Sequence, residues 1–373
     1  MTITNDRAGD IADQPLRVAI VGTGAVARLH AQTLQEMPRV TIVAAADTLP
    51  GRAAEFASAH GIPNAYSSFD DLLAAHKIDV VHLCTPPGGH AGQAVIAFAH
   101  GAHVVVEKPP ALSLADLDTM TDAATKAGRR LAVVFQQRTG SAVRHIRKLL
   151  ESGAFGRPLV ALCQTLWYRD DDYFEVPWRG RWETEGGGTT LSHGIHQIDL
   201  LAHLLGDWRL VQGQLWRLER DIDTEDVSTG TIVFTSGAVA SVVNSVLSPR
   251  ETSNIRIDTD KATIEVDHLY GHDHTNWRIT PALGVSESEA AGWALPADEV
   301  QSGHEALLDE VYAALETGGE LPAVADHPAR ALEIVSALYA SGRENAVIER
   351  TRIVSEPELR GGMRAPVTPL QQG

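Results

Sequence analysis

The segment between Gly186 and Gly206 reads GGGTTLSHGIHQIDLLAHLLG and joins a glycine-rich turn to side chains suited to acid–base chemistry. Leucine and isoleucine recur there at three- and four-residue intervals, which predicts a helix with one buried stripe. A second stripe is polar and holds Ser192, His196, Asp199 and His203. A histidine ring titrates near neutral pH and can act as a general base. We therefore expect the polar stripe to face a site or solvent.

Length and composition restrict the classes to which the chain can belong. A chain of 373 residues is longer than a single hydrophobic core usually supports, which suggests two domains. Hydrophobic residues make up 44% of the chain, enough to form the cores of both. The formal charge of −17, from 31 basic and 48 acidic residues, argues against a nucleic-acid partner. Cys84 and Cys163 lie far apart, so neither a disulfide framework nor a metal-binding spacing is present, and both are expected to be buried thiols.

Segments for targeting, membranes or metals are not recognisable in the sequence. The first fifteen residues lack a cationic start followed by an apolar stretch, and nothing approaches the roughly 18 apolar residues of a membrane span. We expect a cytoplasmic protein with no membrane partner. The histidines of HDH, residues 272–274, have the wrong spacing for a helical metal pair, so we expect a solvated loop and no metal site.

The first part of the chain has the pattern of a doubly wound α/β domain. From Leu16 to Gln136, short apolar runs alternate with longer amphipathic ones, which predicts a parallel sheet covered by helices on both faces. We assign residues 16–136 to this domain and residues 1–15 to a loosely ordered N-terminus.

The second part changes to an alternation typical of an antiparallel sheet. After a helix at about 142–150, strands are predicted at 158–168, 209–219, 227–235 and 238–247, followed by a hairpin that turns at about 258–261. Two late helices, at about 303–317 and 328–341, cover one face of this sheet or pack back on the first domain. We assign residues 137–355 to the second domain. Residues 356–373, rich in Pro, Gly and Gln, are expected to form a loose tail or an arm on a partner subunit.

A dinucleotide fingerprint follows the first predicted strand. GTGAVA, residues 22–27, comes directly after LRVAIV and opens a helix. Gly22 allows a tight turn, Gly24 lets a pyrophosphate approach the backbone, and Ala27 permits close packing of helix on strand. Ala25 and Val26 stand between them at the positive end of the helix, which favours an anion.

The choice of dinucleotide depends on the residues after the second strand. Asp47 falls at the end of that strand, where a carboxylate binds the ribose hydroxyls of NAD and repels a 2′-phosphate. Arg52, shortly after it, could instead contact a 2′-phosphate. We expect NAD in preference to NADP.

Two further motifs complete a set that resembles a known family. TPPGGHAGQAVIAFAHGAHVVVEKPP, residues 85–110, contains the tripeptide Glu107-Lys108-Pro109, and FQQRTGSAVRHIRKLLESGAFGRP follows at 135–158. Together with the fingerprint and the segment from Gly186, they resemble the Gfo/Idh/MocA family, named for glucose-fructose oxidoreductase, inositol dehydrogenase and the rhizopine protein MocA. The likeness runs from Leu16 to about Tyr339.

The resemblance implies an N-terminal Rossmann domain and a C-terminal α/β domain built on an open, mostly antiparallel sheet. In this family the C-terminal domain binds the substrate and often mediates oligomerisation, so a homodimer or homotetramer is expected. The typical reaction is oxidation of a secondary alcohol on a sugar, a cyclitol or a related polyol.

Residue by residue, the resemblance also implies roles. Lys108 and His196 match the family's catalytic Lys and His, with Lys108 beside the nicotinamide as well. The positions that match its cofactor set are Gly22, Gly24, Ala27 and Asp47. Those that match the lining of the nicotinamide and adenosine pocket are Thr85, Pro86, His90 and Glu107.

The sequence departs from the family pattern at position 192. Many members place an Asp four residues before the catalytic His, whereas this chain has Ser192, which cannot carry a negative charge. The departure concerns the proton relay or the orientation of the substrate. His193 and Asp199 remain as possible substitutes.

The stretch WYRDDDYFEVPWRGRWETE, residues 167–185, supplies candidates for substrate binding. Aromatic rings can cover the C–H faces of a sugar while charged groups bond its hydroxyls. The substrate-side candidates are Arg169, Tyr173, Trp178, Arg179 and His193. The alternative is an interdomain loop whose aromatic side chains fill the core.

The leading hypothesis is an NAD-dependent dehydrogenase acting on a CH–OH group. His196 takes the hydroxyl proton as general base, while Lys108 bonds the same oxygen and stabilises its developing negative charge. One alternative is a lyase or glycoside-cleaving enzyme that retains NAD and uses transient oxidation to acidify a neighbouring C–H. Another is a non-catalytic NAD-sensing protein.

Overall fold

The computed structural model describes residues 14–321 and 329–369. Its strands are β1 (Leu16–Val21), β2 (Val40–Ala46), β3 (Ala65–Tyr66), β4 (Val80–Leu83), β5 (His103–Val106), β6 (Leu131–Val133), β7 (Pro158–Tyr168), β8 (Trp208–Arg217), β9 (Val227–Phe234), β10 (Val239–Ser245), β11 (Leu247–Thr259), β12 (Ala262–His268), β13 (Trp277–Pro281), β14 (Ile348–Glu349) and β15 (Thr368–Pro369). Its helices are α1 (Ala25–Gln35), α2 (Arg52–Ala59), α3 (Phe69–Ala75), α4 (His90–Ala99), α5 (Leu114–Ala127), α6 (Ser141–Glu151), α7 (Asp171–Phe174), α8 (Ile195–Leu205), α9 (Glu287–Ala291), α10 (His304–Thr317), α11 (Ala329–Glu344), α12 (Arg350–Ser355) and α13 (Pro357–Arg360). The predicted N-terminal segment 1–15 lies outside the described residues except for its last two positions.

The described chain forms two compact units whose segments interleave. The first unit holds residues 14–107, 119–134 and 307–321, and the second holds Lys108–Asp118, Phe135–Ala306 and 329–369. The predicted ranges 16–136 and 137–355 are continuous and therefore differ from this division. One part of the difference arises because most of α10 buries its apolar face in the first unit. The other part is that Lys108–Asp118 belongs to the second unit.

The first unit is built on a six-stranded sheet in the order β3-β2-β1-β4-β5-β6, in which every pair is parallel. This confirms the predicted Rossmann architecture. The strand order reverses between β1 and β4, and ligands of such sheets bind beyond the carboxyl ends of the strands at that reversal. The loop after β1 carries the fingerprint, and the loop after β4 begins with Cys84 and Thr85.

The core of the first unit includes side chains from α10. Leu307, Leu308 and Val311 are fully buried in one cluster with Val18 and Ile20 of β1. The prediction left open whether this helix covers the second sheet or packs on the first domain. The structure shows that its apolar face packs in the core of the first unit.

The second unit contains a nine-stranded sheet that follows the order β13-β12-β11-β7-β10-β9-β8-β14, with β15 also paired to β8. Among the described strand pairs of this second sheet, only β7–β10 and β8–β15 are parallel, so the predicted open, mostly antiparallel sheet is confirmed. Helix α11 packs on β8, where an added Cβ at Gly213 would lie 2.7 Å from Leu338. Helix α8 packs against α11 and β7, and every one of its residues is buried.

Alternation along β7 separates a covered face from an open one. Trp167 is buried on the covered face, whereas Val160, Leu162 and Tyr168 are exposed on the other. The covered face holds the tryptophan next to the histidines described below.

Several expectations from the sequence need correction. The described part of the predicted loose tail is packed, because α13 buries Leu359 and the following chain buries Met363 and Ala365. His272, which was expected in a solvated loop, is buried. Its Nε2 lies 3.2 Å from the carbonyl oxygen of Gln137. The short elements β3, α3, α9 and α12 were not anticipated. Both cysteines are buried, as predicted.

Residues 14–321 and 329–369 include no helix long and apolar enough to cross a membrane.

Candidate functional site

The fingerprint loop in the first unit requires its glycines for two different reasons. Gly22 has a φ of +84°, and an added Cβ would lie 2.7 Å from the backbone of Cys84 and Thr85. Gly24 precedes α1, and no atom lies within 4 Å of the position that its Cβ would take. Ala27 is fully buried in the core of the unit. The loop thus packs tightly on its inner side and leaves open space at the helix N-terminus, which can receive a phosphate.

Asp47 is tied to this loop by short hydrogen bonds. One of its carboxylate oxygens accepts from the backbone N–H and the hydroxyl of Thr23, at 2.9 and 2.7 Å, and the other accepts from the N–H of Leu49 at 2.9 Å. Partial burial acts to raise the pKa of Asp47, but these hydrogen bonds and the charge of Arg52 outweigh it and lower the pKa below its usual value. The carboxylate is therefore ionised at neutral pH. Arg52 is exposed at the start of α2.

A buried histidine holds the loop after β4 by a hydrogen bond to its main chain. Nε2 of His90 lies 2.8 Å from the carbonyl oxygen of Thr85, and the His90 side chain is fully buried. Thr85 is half-buried and Pro86 is exposed. Thr85 and Pro86 are accessible to a ligand, whereas His90 is not. The expectation that His90 lines the cofactor pocket stays a prediction.

Glu107 is likewise buried, in a polar chain within the first unit. Its carboxylate lies 3.0 Å from Nε2 of His30, and Nδ1 of His30 lies 2.6 Å from Nδ1 of His82. The chain ends at the Tyr312 hydroxyl, 2.8 Å from Nε2 of His82. Glu107 therefore joins α1, β4 and α10 from inside the unit, and its expected place in the pocket lining stays a prediction.

In the second unit, a buried carboxylate fixes the glycine-rich turn. Glu225 accepts hydrogen bonds from the N–H groups of Gly188 and Thr190, at 3.1 and 2.9 Å, and from the hydroxyl of Tyr339 at 2.8 Å. Burial raises the pKa of Glu225. A Cβ at Gly188 would lie 2.0 Å from the carbonyl oxygen of Glu225, so only glycine fits there.

The turn continues as a π-helical segment, Thr190–Gly194, before α8 begins. Such segments are rare and recur at functional sites. The Ser192 hydroxyl donates to the carbonyl oxygen of Gly188 at 2.7 Å and lies 2.8 Å from Nδ1 of His193. Because the hydroxyl has one proton and a carbonyl can only accept, Nδ1 of His193 donates to Ser192.

His193 is a neutral ring with both nitrogens engaged. Its Nε2 then accepts from the Tyr173 hydroxyl at 3.2 Å. Burial lowers the pKa of His193 well below its usual value, and the positive charges of Arg169, Lys108 and Arg179 lower it further. A histidine in this state is a poor general base, and the substitution of His193 for the missing carboxylate stays a prediction.

Lys108 contacts this segment, and His196 follows it in sequence. Nζ of Lys108 donates to the carbonyl oxygen of Ser192 at 3.1 Å. His196 stands one helical turn later, nearly buried, with its ring centroid 6.4 Å from that of Trp167. The second unit thus brings the two predicted catalytic residues to the same turn.

Asp199 has a dedicated partner that the sequence reading did not identify. Both of its oxygens accept hydrogen bonds from the Arg138 guanidinium, one at 2.7 Å, and both side chains are almost completely buried. Burial raises the pKa of Asp199, and Arg138 opposes that rise. This geometry gives Asp199 a structural partner, and its role as a substitute for the missing carboxylate stays a prediction. His203 has a pKa lowered to about 2 by burial and nearby arginines, so it stays neutral.

The predicted substrate-side residues form one aromatic and cationic cluster. The Arg169 guanidinium lies 4.9 Å from the Trp167 ring centroid and pairs with Glu251 at 2.7 Å. The Arg179 guanidinium lies 3.6 Å from the centroid of Tyr173 and 4.6 Å from that of Trp178. Of these residues, Tyr173 and Trp167 contact the His193 ring directly.

Three functional neighbours were missed by sequence reasoning. Glu185 directly precedes the glycine run, and Arg138 lies within FQQRTG, so both stood beside recognised motifs. Glu225 lies 37 residues after Gly188, and no motif in the sequence links it to the glycine-rich turn.

Comparisons with known proteins agree with this geometry. A family model described as "Oxidoreductase family, NAD-binding Rossmann fold" (Gfo/Idh/MocA) matches residues 16–135, and the model of the Gfo/Idh/MocA C-terminal domain matches residues 143–265. The D-apiose dehydrogenase of Paraburkholderia graminis is 26% identical over 91% of this chain and 90% of its own length. The D-glucoside 3-dehydrogenase of Escherichia coli is 32% identical over 52% of this chain and 56% of its own length.

A solved structure extends the likeness over nearly the whole chain. The WlbA dehydrogenase from Bordetella pertussis, in complex with NADH and UDP-GlcNAcA, shares 27% identity and has a TM-score of 0.79, covering 90% of this chain and 99% of WlbA.

Proposed function

Because this chain belongs to the Gfo/Idh/MocA family of oxidoreductases with an NAD-binding Rossmann fold, we propose that it oxidises a secondary hydroxyl of a sugar, cyclitol or related polyol, with NAD as hydride acceptor. The observation that carries the proposal is the hydrogen bond from Lys108 to Ser192, one helical turn before His196. Relatives named for D-apiose and D-glucosides support a sugar-like substrate.

The residues of the first unit fit a dinucleotide. Gly24 leaves the N-terminus of α1 open, where backbone N–H groups can hold a pyrophosphate. The ionised Asp47 favours ribose hydroxyls over a 2′-phosphate, which supports NAD rather than NADP. When bound, NAD accepts the hydride that leaves the carbinol carbon.

The residues of the second unit supply the proton chemistry. His196 takes the proton of the substrate hydroxyl, which general-base catalysis makes faster by about two to four orders of magnitude. Lys108 donates a hydrogen bond to the same oxygen and stabilises the negative charge that develops there. His193 orients Tyr173 and Ser192 instead of moving a proton, because both of its ring nitrogens are engaged.

The test is a panel of sugars, inositols and glycosides assayed for NADH formation, with His196→Gln as the variant. We expect stoichiometric NADH from at least one polyol, and loss of about 10²-fold or more in kcat for the variant with unchanged NADH binding. His100→Gln is the control, because His100 is exposed on the first unit. Full activity of His196→Gln would contradict the proposal.

The same assay separates the two alternative functions. Turnover of a glycoside without net NADH would point to an NAD-retaining lyase or glycoside-cleaving enzyme. Tight NADH binding without turnover of any compound would point to an NAD-sensing protein.

We also propose that the chain forms a homodimer or homotetramer through the open face of its second sheet. Val160, Leu162 and Tyr168 are exposed there on β7. Light scattering after size exclusion gives the mass directly, and a monomer would contradict this assembly.

A further inference from the structure

The guanidinium of Arg179 is a partly buried cation without a counter-ion. No carboxylate oxygen of residues 14–321 or 329–369 lies within the 4.0 Å of an ion pair, and its buried Nε has no hydrogen-bond partner among them. Burial lowers the pKa of Arg179. Stacking on Tyr173 and Trp178 holds the plane of the group but does not replace the lost hydration of its N–H donors.

The surroundings of Arg179 are positive although the whole chain carries a formal charge of −17. Lys108, Arg169 and Arg179 all lie close enough to His193 to lower its pKa. Arg169 pairs with Glu251, whereas no carboxylate of the described residues lies within ion-pair distance of Arg179. The charge of Arg179 therefore lies beside other cations without a carboxylate of its own in the described chain.

The acidic groups described near Arg179 offset its charge only in part. Glu185 acts on Arg179 through its charge but forms no ion pair with it, since its carboxylate accepts a hydrogen bond from the N–H of Gly180 at 2.5 Å and burial raises its pKa to about 7. Asp170 accepts from the backbone N–H of Tyr173, and Asp171 pairs with Arg220. A bound anion would supply the negative charge that is missing beside the Arg179 guanidinium.

We propose that the substrate carries a carboxylate, as a uronic or aldonic acid does, and that Arg179 binds this carboxylate while Lys108 and His196 act on a hydroxyl. A planar guanidinium offers parallel N–H donors that match the two oxygens of a carboxylate, and a flat stack on aromatic rings keeps those donors directed. The inference rests on the proposed oxidation for its catalytic part, but the binding of the carboxylate stands independently.

The test compares acids with neutral partners of the same skeleton. The pairs are D-glucuronate with D-glucose, D-galacturonate with D-galactose, and D-gluconate with D-glucitol, each titrated calorimetrically into the NAD-loaded protein and assayed for NADH. We expect at least one acid to bind more tightly than its neutral partner by about 10-fold or more. In Arg179→Gln its Kd and KM rise by about 10- to 100-fold, while those of the neutral partner change by less than about threefold.

Two further variants separate charge, geometry and folding. Arg179→Lys keeps the charge but loses the paired donors, so it should recover only part of the affinity. Arg181→Gln removes an exposed charge from the same loop and should leave acid binding unchanged. Thermal melting of each variant shows whether the protein is folded.

The outcomes distinguish the two proposals. Binding of an acid that depends on Arg179, without NADH formation, would keep this inference and overturn the proposed oxidation. NADH formation from neutral polyols with no preference for acids would overturn this inference alone. Equal effects of Arg179→Gln and Arg181→Gln, or tighter binding of D-glucose 6-phosphate than of every acid, would also overturn it.

Discussion

The ammonium group of Lys108 donates a hydrogen bond of 3.1 Å to the main-chain carbonyl of Ser192. The side chain at position 192 carries no charge, so this contact positions the amine through the main chain. We expect the amine held in this way to stabilise an oxygen that becomes anionic.

Replacing Lys108 with methionine should therefore remove charge stabilisation while keeping most of the side-chain volume. We expect kcat/KM to fall by about 10²- to 10³-fold, with NADH affinity changed by less than about threefold. Steady-state kinetics and NADH fluorescence titration measure the two quantities. Lys148→Met, on the exposed side of α6, is the control; comparable activity in both variants would show that Lys108 is not catalytic.

Asp47 should determine the choice between the two nicotinamide dinucleotides. Asp47→Ser removes the ionised carboxylate, so we expect the ratio of kcat/KM for NAD to that for NADP to fall by about 10-fold or more. The ratio is the proper readout, because Asp47 also holds Thr23 and its loss weakens binding of both cofactors. Asp70→Ser, an exposed acid on α3, should leave the ratio unchanged, and an unchanged ratio in both variants would contradict this role.

The ion pair of Arg138 and Asp199 should be important for stability. Asp199→Asn leaves a buried guanidinium without its counter-charge, which costs about 3–5 kcal/mol of unfolding free energy. Asp118→Asn breaks the exposed pair with Arg360 in the same unit and should cost about 1 kcal/mol or less. Urea unfolding of the two variants gives both values, and similar small losses would refute the structural role of Asp199.

Glu185 should make stability depend on pH. Its pKa rises from a usual value of 4.5 to about 7 in the folded protein, mainly because it is buried. Between these values the folded state keeps a proton that the unfolded state loses, so stability falls as the pH rises through this window.

The comparison of wild type with Glu185→Gln isolates this effect, since Arg179, Glu225 and Lys108 are present in both proteins. From pH 5 to pH 8 the wild type should lose on the order of 1–3 kcal/mol more than Glu185→Gln in urea unfolding. Glu183→Gln removes an exposed acid two residues earlier and should follow the wild type. Parallel curves for wild type and Glu185→Gln would rule out the buried proton.

Local patterns predicted the sheets and the recognised motifs because strand alternation and the fingerprint depend on residues close in sequence. Strand β7 begins and ends at the predicted residues 158 and 168. The edge strand β3 has only two residues and leaves no periodic signal. Helix α10 was predicted, but the sheet on which it packs was not. An apolar stripe has the same pattern in the sequence whichever sheet it covers.

The site was predictable where one motif holds the chemistry and unpredictable where distant groups meet. Lys108 and His196 stand in recognisable segments. The pairing of Arg138 with Asp199 spans 61 residues, and that of Gly188 with Glu225 spans 37. A sequence shows that such polar groups exist, but only the fold shows which of them are buried together.

The return of α10 to the first unit limits how the protein can be divided. A fragment ending at residue 135 would lack Leu307, Leu308 and Val311, so part of the core around β1 would face water, and His82 would lose the Tyr312 hydroxyl. The first unit therefore cannot be transferred to another protein as one continuous segment. Grafting it onto another catalytic domain would require carrying residues 307–321 along as a separate piece.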